Sequence, residues 1–187
     1  MKLEGDLVAC RPDGPVWRVG RKPTPWGWSD WKWADGDELY PTGQAGVVPS
    51  TWFRERLLAR AALSGVFCDV GAAATVAQLR PEFLESAQRL GLADFDVSAV
   101  QQAKHRALTQ RVGLAIYSLT DEAMNPVFDG VRFLSRHGSD LELWTVFERS
   151  DDGDRSRLLH DVTAEPLRTH DPAVIAAMQL HGLSAED

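Results

Sequence analysis

FDGVRFLSRHGSDLELWTVFE, residues 128–148, reads as two short strands joined by a tight polar turn. Val131, Phe133 and Leu134 build the first strand; Leu141, Leu143, Thr145 and Phe147 build the second. Leu141, Leu143 and Phe147 alternate with Glu142 and Val146, close to the period of two of a half-buried strand. The pattern predicts an antiparallel hairpin with Leu143 and Phe147 turned inward. His137-Gly138-Ser139-Asp140 supplies turn residues, which tolerate positive φ or bond their own backbone. Such a hairpin presents Ser135 and Arg136 at a strand end, where a hydroxyl and a cation can meet an anionic ligand from a rigid base.

The rest of the chain is read outward from this hairpin. Its 187 residues fit one domain, and 44% hydrophobic with 25% charged residues are ordinary globular values. A net charge of -7 disfavours non-specific binding to nucleic acid or an anionic membrane. Cys10 and Cys68 are the only cysteines, without C-x-x-C spacing, which argues against a zinc site or a disulfide framework and fits a reducing compartment. The five histidines lack the i, i+4 spacing of a helical metal site. Neither a signal peptide nor a membrane span is expected, so a soluble cytoplasmic protein is.

Before the hairpin, Leu7 to Cys10 and Val16 to Val19 read as a strand or strand pair around a Pro12-Asp13-Gly14-Pro15 turn. Arg18 stands between Trp17 and Val19, either as a solvent-facing strand arginine or as a phosphate or ribose contact. Residues 21–46 place Trp26, Trp28, Trp31 and Trp33 among prolines and glycines, a loop that either stacks on a base or partner or covers a sheet face. Residues 50–60 predict a helix capped by Ser50, with Trp52, Phe53, Leu57 and Leu58 on its apolar face. Gly65 to Val70 reads as a strand, making Cys68 a buried small hydrophobe. A helix begins at Gly71, and Pro81 restarts another that carries Phe83, Leu84, Ala87 and Leu90. Asp96 or Ser98 caps a long helix to about Leu119, with Lys104, His105 and Arg106 on a solvated face. After the hairpin, Asp151-Asp152-Gly153-Asp154 is a solvated turn, and a helix over 172–181 follows its cap Asp171 and stops at Gly182.

Asp129-Gly130-Val131-Arg132-Phe133-Leu134-Ser135-Arg136, then Leu141-Glu142-Leu143-Trp144-Thr145-Val146-Phe147-Glu148, resembles the RES domain family. The N-terminal Trp17-Arg18 strand and the Trp-rich loop are similar to one RES subgroup, and residues 45–120 resemble the family scaffold. RES domains are NAD-degrading toxins paired with Xre-type antitoxins, with a fold similar to that of ADP-ribosyltransferases. The resemblance implies an α/β (α+β) protein: a small mixed sheet with surrounding helices in one domain. Its parts are strands and the Trp-rich loop over 1–46, a helical region over 47–120, the strand pair over 128–148 and the C-terminal helix over 171–182. It implies Arg18 and Ser135 as catalytic residues, and Arg18, Arg132, Ser135 and Arg136 as contacts to NAD. NAD enters as substrate of a glycohydrolase or phosphorylase, with no required cofactor, no metal, no direct nucleic acid and no membrane.

The chain departs from the family between Trp33 and Gln44, where the segment with the family glutamate is missing. Glu38 and Tyr40 lie at the junction in a different order. Cleaving the nicotinamide–ribose bond builds positive charge on the sugar, which a carboxylate stabilises. The core is therefore expected to be shortened and catalysis impaired. Three readings stay open: a working enzyme with Glu38 or Glu142 standing in, an inactive RES-like module that binds a nucleotide or partner, and a plain interaction module. The nucleotide readings expect Arg18 and Ser135 on neighbouring strands, facing one cleft.

Overall fold

The computed structural model describes residues 7–12, 15–21, 45–54, 56–101, 103–135, 138–153 and 155–186. It is mixed α/β, with three small sheets and five α-helices among the described residues. The chain divides into two compact units: 1–13 with 63–159, and 14–62 with 160–187.

The first unit holds strands β1 (Ala9–Cys10), β5 (Phe67–Asp69), β6 (Gly130–Ser135) and β7 (Gly138–Val146) in the order β1-β5-β6-β7. Only the β5–β6 pair is parallel. The chain between β5 and β6 forms α2 (Ala73–Arg89), α3 (Val97–Gln101), a 3-10 turn at Ala103–His105 and α4 (Arg106–Tyr117). A crossover through helices is what a parallel pair requires. Leu79, Phe83 and Ala87 of α2 meet Leu108, Val112 and Ile116 of α4 and Cys68 of β5 in one core. Phe83 and Phe95 stack at 5.7 Å between ring centroids.

Pro81 does not restart a helix; it sits inside α2. An internal proline costs about 3 kcal/mol. Pro81 is exposed, so solvent can satisfy the freed carbonyl, while Thr75, Leu79, Phe83 and Ala87 bury the opposite face at four-residue spacing. The long helix expected from Asp96 to Leu119 breaks at the 3-10 turn. Asp96 is its cap: Oδ1 accepts from Ser98 Oγ at 2.8 Å and from Ala99 N at 3.0 Å. Those hydrogen bonds hold its carboxyl below the usual range.

The expected hairpin forms, with Arg132 opposite Trp144 and Phe133 opposite Leu143. Phe147, just after β7, packs against the core as expected. Leu143 corrects the expectation. It stands on the same face as Phe133, yet β7 is the edge of the four-stranded order and Leu143 stays 42% exposed. Of the residues read as a turn, Gly138, Ser139 and Asp140 already belong to β7, and the register shifts between Leu134 and Ser135.

The second unit holds β2 (Pro15–Arg21), β4 (Arg56–Leu63) and β8 (Leu159–Pro166) in the order β2-β4-β8. Helix α1 is Ser50–Arg54 and α5 is Pro172–Leu180; β3 (Val47–Val48) pairs in parallel with β9 (Ser184–Ala185). The helix expected over 50–60 therefore ends at Arg54, and Arg56 opens a strand. Leucine, alanine and arginine favour helix intrinsically, but pairing on both sides of β4 overrides the propensity. Buried Ala61 and Leu63 alternate with exposed Arg60 and Ala62, the period of a strand. The C-terminal helix forms over Pro172–Leu180, with Gly182 at φ +63° after it as expected; Asp171 is extended before it but makes no side-chain capping hydrogen bond.

Candidate functional site

The hairpin motif is built around Gly130. A Cβ there would lie 2.0 Å from the Thr145 carbonyl oxygen and 2.7 Å from the Phe67 ring. Its absence lets Phe67 of β5 lie across β6 and meet Trp144 of β7 edge to face, with centroids 5.0 Å apart. Asp129 ties the strand start to the loop before β5. Its Oδ2 accepts from Val66 N at 2.8 Å, its N donates to Val66 O at 2.7 Å, and its carbonyl accepts from Phe147 N at 2.8 Å.

Arg132 lies opposite Asp69 on β5 and Trp144 on β7, on the face away from the helices. Nη1 donates to Asp69 Oδ2 at 2.7 Å and Nη2 donates to Glu142 Oε1. Side-chain exposures of 19% for Arg132 and 17% for Asp69 make this a largely desolvated pair, while Glu142 at 41% is its wetter arm. Asp69 Oδ1 also accepts from Gly71 N at 3.0 Å. Burial disfavours the charged guanidinium; its hydrogen bond to Glu142 and the field of Asp69 outweigh that and raise the Arg132 pKa. One cation against two carboxylates leaves the cluster net negative, and a guanidinium held at both ends offers little to a diphosphate.

The two cysteines flank this cluster on opposite faces. Cys10 pairs with Phe67, and its thiol donates to the Phe67 carbonyl at 3.4 Å. Burial, then the field of Asp69, pushes its pKa up. Cys68 faces the core with no exposure, and burial pushes its thiol up to about 12. Thr75, equally buried, accepts from Val8 N at 3.1 Å. The expectation of a buried, small-hydrophobe Cys68 matches. A thiolate nucleophile needs a lowered pKa, and neither thiol has one.

The expected site residues do not gather on one sheet. Ser135 ends β6 beside the turn, as expected for the hairpin, opposite Gly138. It is three positions from Arg132, so regular alternation puts the two on opposite faces, with the register shift between Leu134 and Ser135. Arg18 is on β2, opposite Ala59 of β4, in the three-stranded sheet. Neighbouring strands for Arg18 and Ser135 are thus corrected: β2 pairs with β4, and β6 pairs with β5 and β7. The Arg18 side chain, Arg136, the four loop tryptophans, Glu38 and Tyr40 lie outside the described residues.

Sequence reading missed Asp69 as the partner of Arg132. It also missed Arg149, which donates to the Tyr117 carbonyl at 3.2 Å and the Phe128 carbonyl at 2.8 Å, with its guanidinium 3.9 Å from the Tyr117 ring centroid. Asp69 is 63 positions from Arg132, beyond any local signal. Arg149 follows the hairpin directly, and a cation next to Phe147 was the available cue.

Among the described residues, no group of three His, Cys, Asp or Glu side chains is placed to hold a metal ion, and no helix is long and apolar enough to cross a membrane. No protein-family model, curated protein or solved structure matches this chain.

Proposed function

We propose that this chain is a RES-like domain, related by its hairpin motif to NAD-consuming toxins, whose catalytic step is impaired. Its remaining role is to bind a nucleotide such as NAD, or a protein partner of the Xre antitoxin type, as an intracellular module with an ADP-ribosyltransferase-like core that is shortened. The observation that carries the impaired step and the weakness of any nucleotide binding is the closure of Arg132 by Asp69 and Glu142. Motif residues that would serve NAD are spent on architecture: Gly130 admits the Phe67 ring, Asp129 fastens the Val66 loop, and Glu142 binds Arg132. Binding ground and transition states equally well does not lower a barrier. Without a carboxylate at the ribose, the expected loss in rate is about a hundredfold to a thousandfold.

The test is a titration of the full chain with NAD, following heat and nicotinamide release. Weak binding with release far slower than that of a full-length RES enzyme is the expected result. Fast release abolished by both Ser135→Ala and Glu142→Gln would overturn the impaired reading and make Glu142 the substitute carboxylate. Neither binding nor release would leave the partner-binding role.

A further inference from the structure

We infer that the second unit carries a separate binding site for a small organic phosphate, in the open cleft of about 460 Å³ between α1, the loop 167–170 and the C-terminal residues 185–186. The volume falls within the range of small-molecule sites. Its floor is apolar: Phe53 and Leu167 are each only 5% exposed. Its rim carries Arg54, Arg168 and His170, all exposed.

Among the described residues, the two arginines have no ion-pair partner. Among the described residues, Arg54 Nη2 donates only to Ser50 Oγ, at 3.4 Å. The side chains of Arg168 and His170 make no hydrogen bond or ion pair with the described residues. Two described acids nearby are turned onto backbone amides instead. Glu186 Oε2 accepts from Ser50 N at 3.3 Å, and Asp171 Oδ2 accepts from Arg168 N at 2.9 Å. Among the described residues, two guanidinium groups and an imidazole line the cleft with one carboxylate, Glu186, which accepts from Ser50 N. On a chain of net charge -7, two neighbouring arginines without an acidic partner among the described residues are a local exception.

The walls are tied together. Leu167 N donates to Arg56 O at 3.0 Å, directly after α1. Asp171 N donates back to Arg168 O at 3.1 Å and closes the turn that presents Arg168, Thr169 and His170. Glu186 N donates to Val48 O at 2.9 Å, fixing the tail beside α1. Arginine matches phosphate oxygens in pairs, and the Phe53 and Leu167 floor suits an apolar body of nucleoside size.

Calorimetric titration of the full chain with AMP, adenosine and inorganic phosphate tests the inference. AMP is expected to bind, with adenosine and inorganic phosphate each at least tenfold weaker. Arg54→Ala and Arg168→Ala should each weaken AMP by about tenfold or more, the loss expected for a charged hydrogen bond, with unchanged thermal melting. The adenosine arm needs no variant and guards against a folding artefact. Ser135→Ala should leave AMP binding intact, which keeps this site distinct from the NAD reading. No AMP binding at millimolar concentration, or binding untouched by both arginine substitutions, would overturn the site. Inorganic phosphate binding as tightly as AMP would overturn the organic class, since the apolar floor would then contribute nothing.

Discussion

Two arginine clusters of the same chain differ in one respect. In the first unit, Arg132 is largely buried and held at both ends by Asp69 and Glu142. In the second, Arg54 and Arg168 are exposed and their neighbouring acids point at backbone amides. Arg132 stands inside the motif that resembles a functional signature, yet its charge is spent on holding three strands together. Arg54 and Arg168 stand in no motif and have no ion-pair partner among the described residues. The comparison teaches that a cation's role is set by the partners the fold supplies, more than by the motif that contains it.

The largest expected effect attacks the architecture under the first cluster. Gly130→Ala should destabilise by about 3 kcal/mol or more, because the new methyl meets a backbone carbonyl as well as the Phe67 ring. Urea unfolding followed by circular dichroism measures it; a loss under about 1 kcal/mol would show that the β6–β7 packing is looser than described.

Next comes the ion pair itself. Arg132→Ala leaves Asp69 desolvated and unpaired and should cost about 2 kcal/mol, the wetter Glu142 arm adding little. Asp69→Asn in the same background should recover part of that loss. A double-mutant cycle with no coupling between positions 69 and 132 would break the contrast between the two clusters.

A third prediction uses Cys68. Its thiol is raised from 9.0 to about 12 in the fold, so the unfolded chain releases a proton first. The stabilisation is complete below pH 9 and is lost as pH rises from 9 towards 12. The slope is about 1.4 kcal/mol per pH unit for one proton within that window. Unfolding curves at pH 8 and pH 10 should differ less for Cys68→Ala than for the parent; equal differences would remove the buried-thiol account.

The smallest effect is the sharpest contrast. Arg54→Ala and Arg168→Ala should each change stability by less than about 0.5 kcal/mol, since neither side chain holds the fold together. A cost comparable to that of Arg132→Ala would place these arginines in the architecture and erase the difference between the clusters.

Local chemistry was enough to read several elements. The β6–β7 hairpin came from alternation and a polar turn, α5 from Asp171 and Gly182 at its ends, and the burial of Cys68 from its apolar neighbours. Each rests on periodicity or capping within a few residues, which is information the chain carries linearly. Tertiary structure alone decided the rest. Arg56–Leu63 has helix-forming residues and becomes a strand because β2 and β8 flank it. Pro81 stays inside α2 because its opposite face is buried. Leu143 is exposed because β7 is an edge, although its alternation pointed inward. Asp69 meets Arg132 across 63 positions, and the cleft joins residues 50–54, 167–170 and 185–186. Which charges are paired and which are left free depends on such distant approaches, because an ion pair within about 4 Å is set by where the strands lie and by how much water remains.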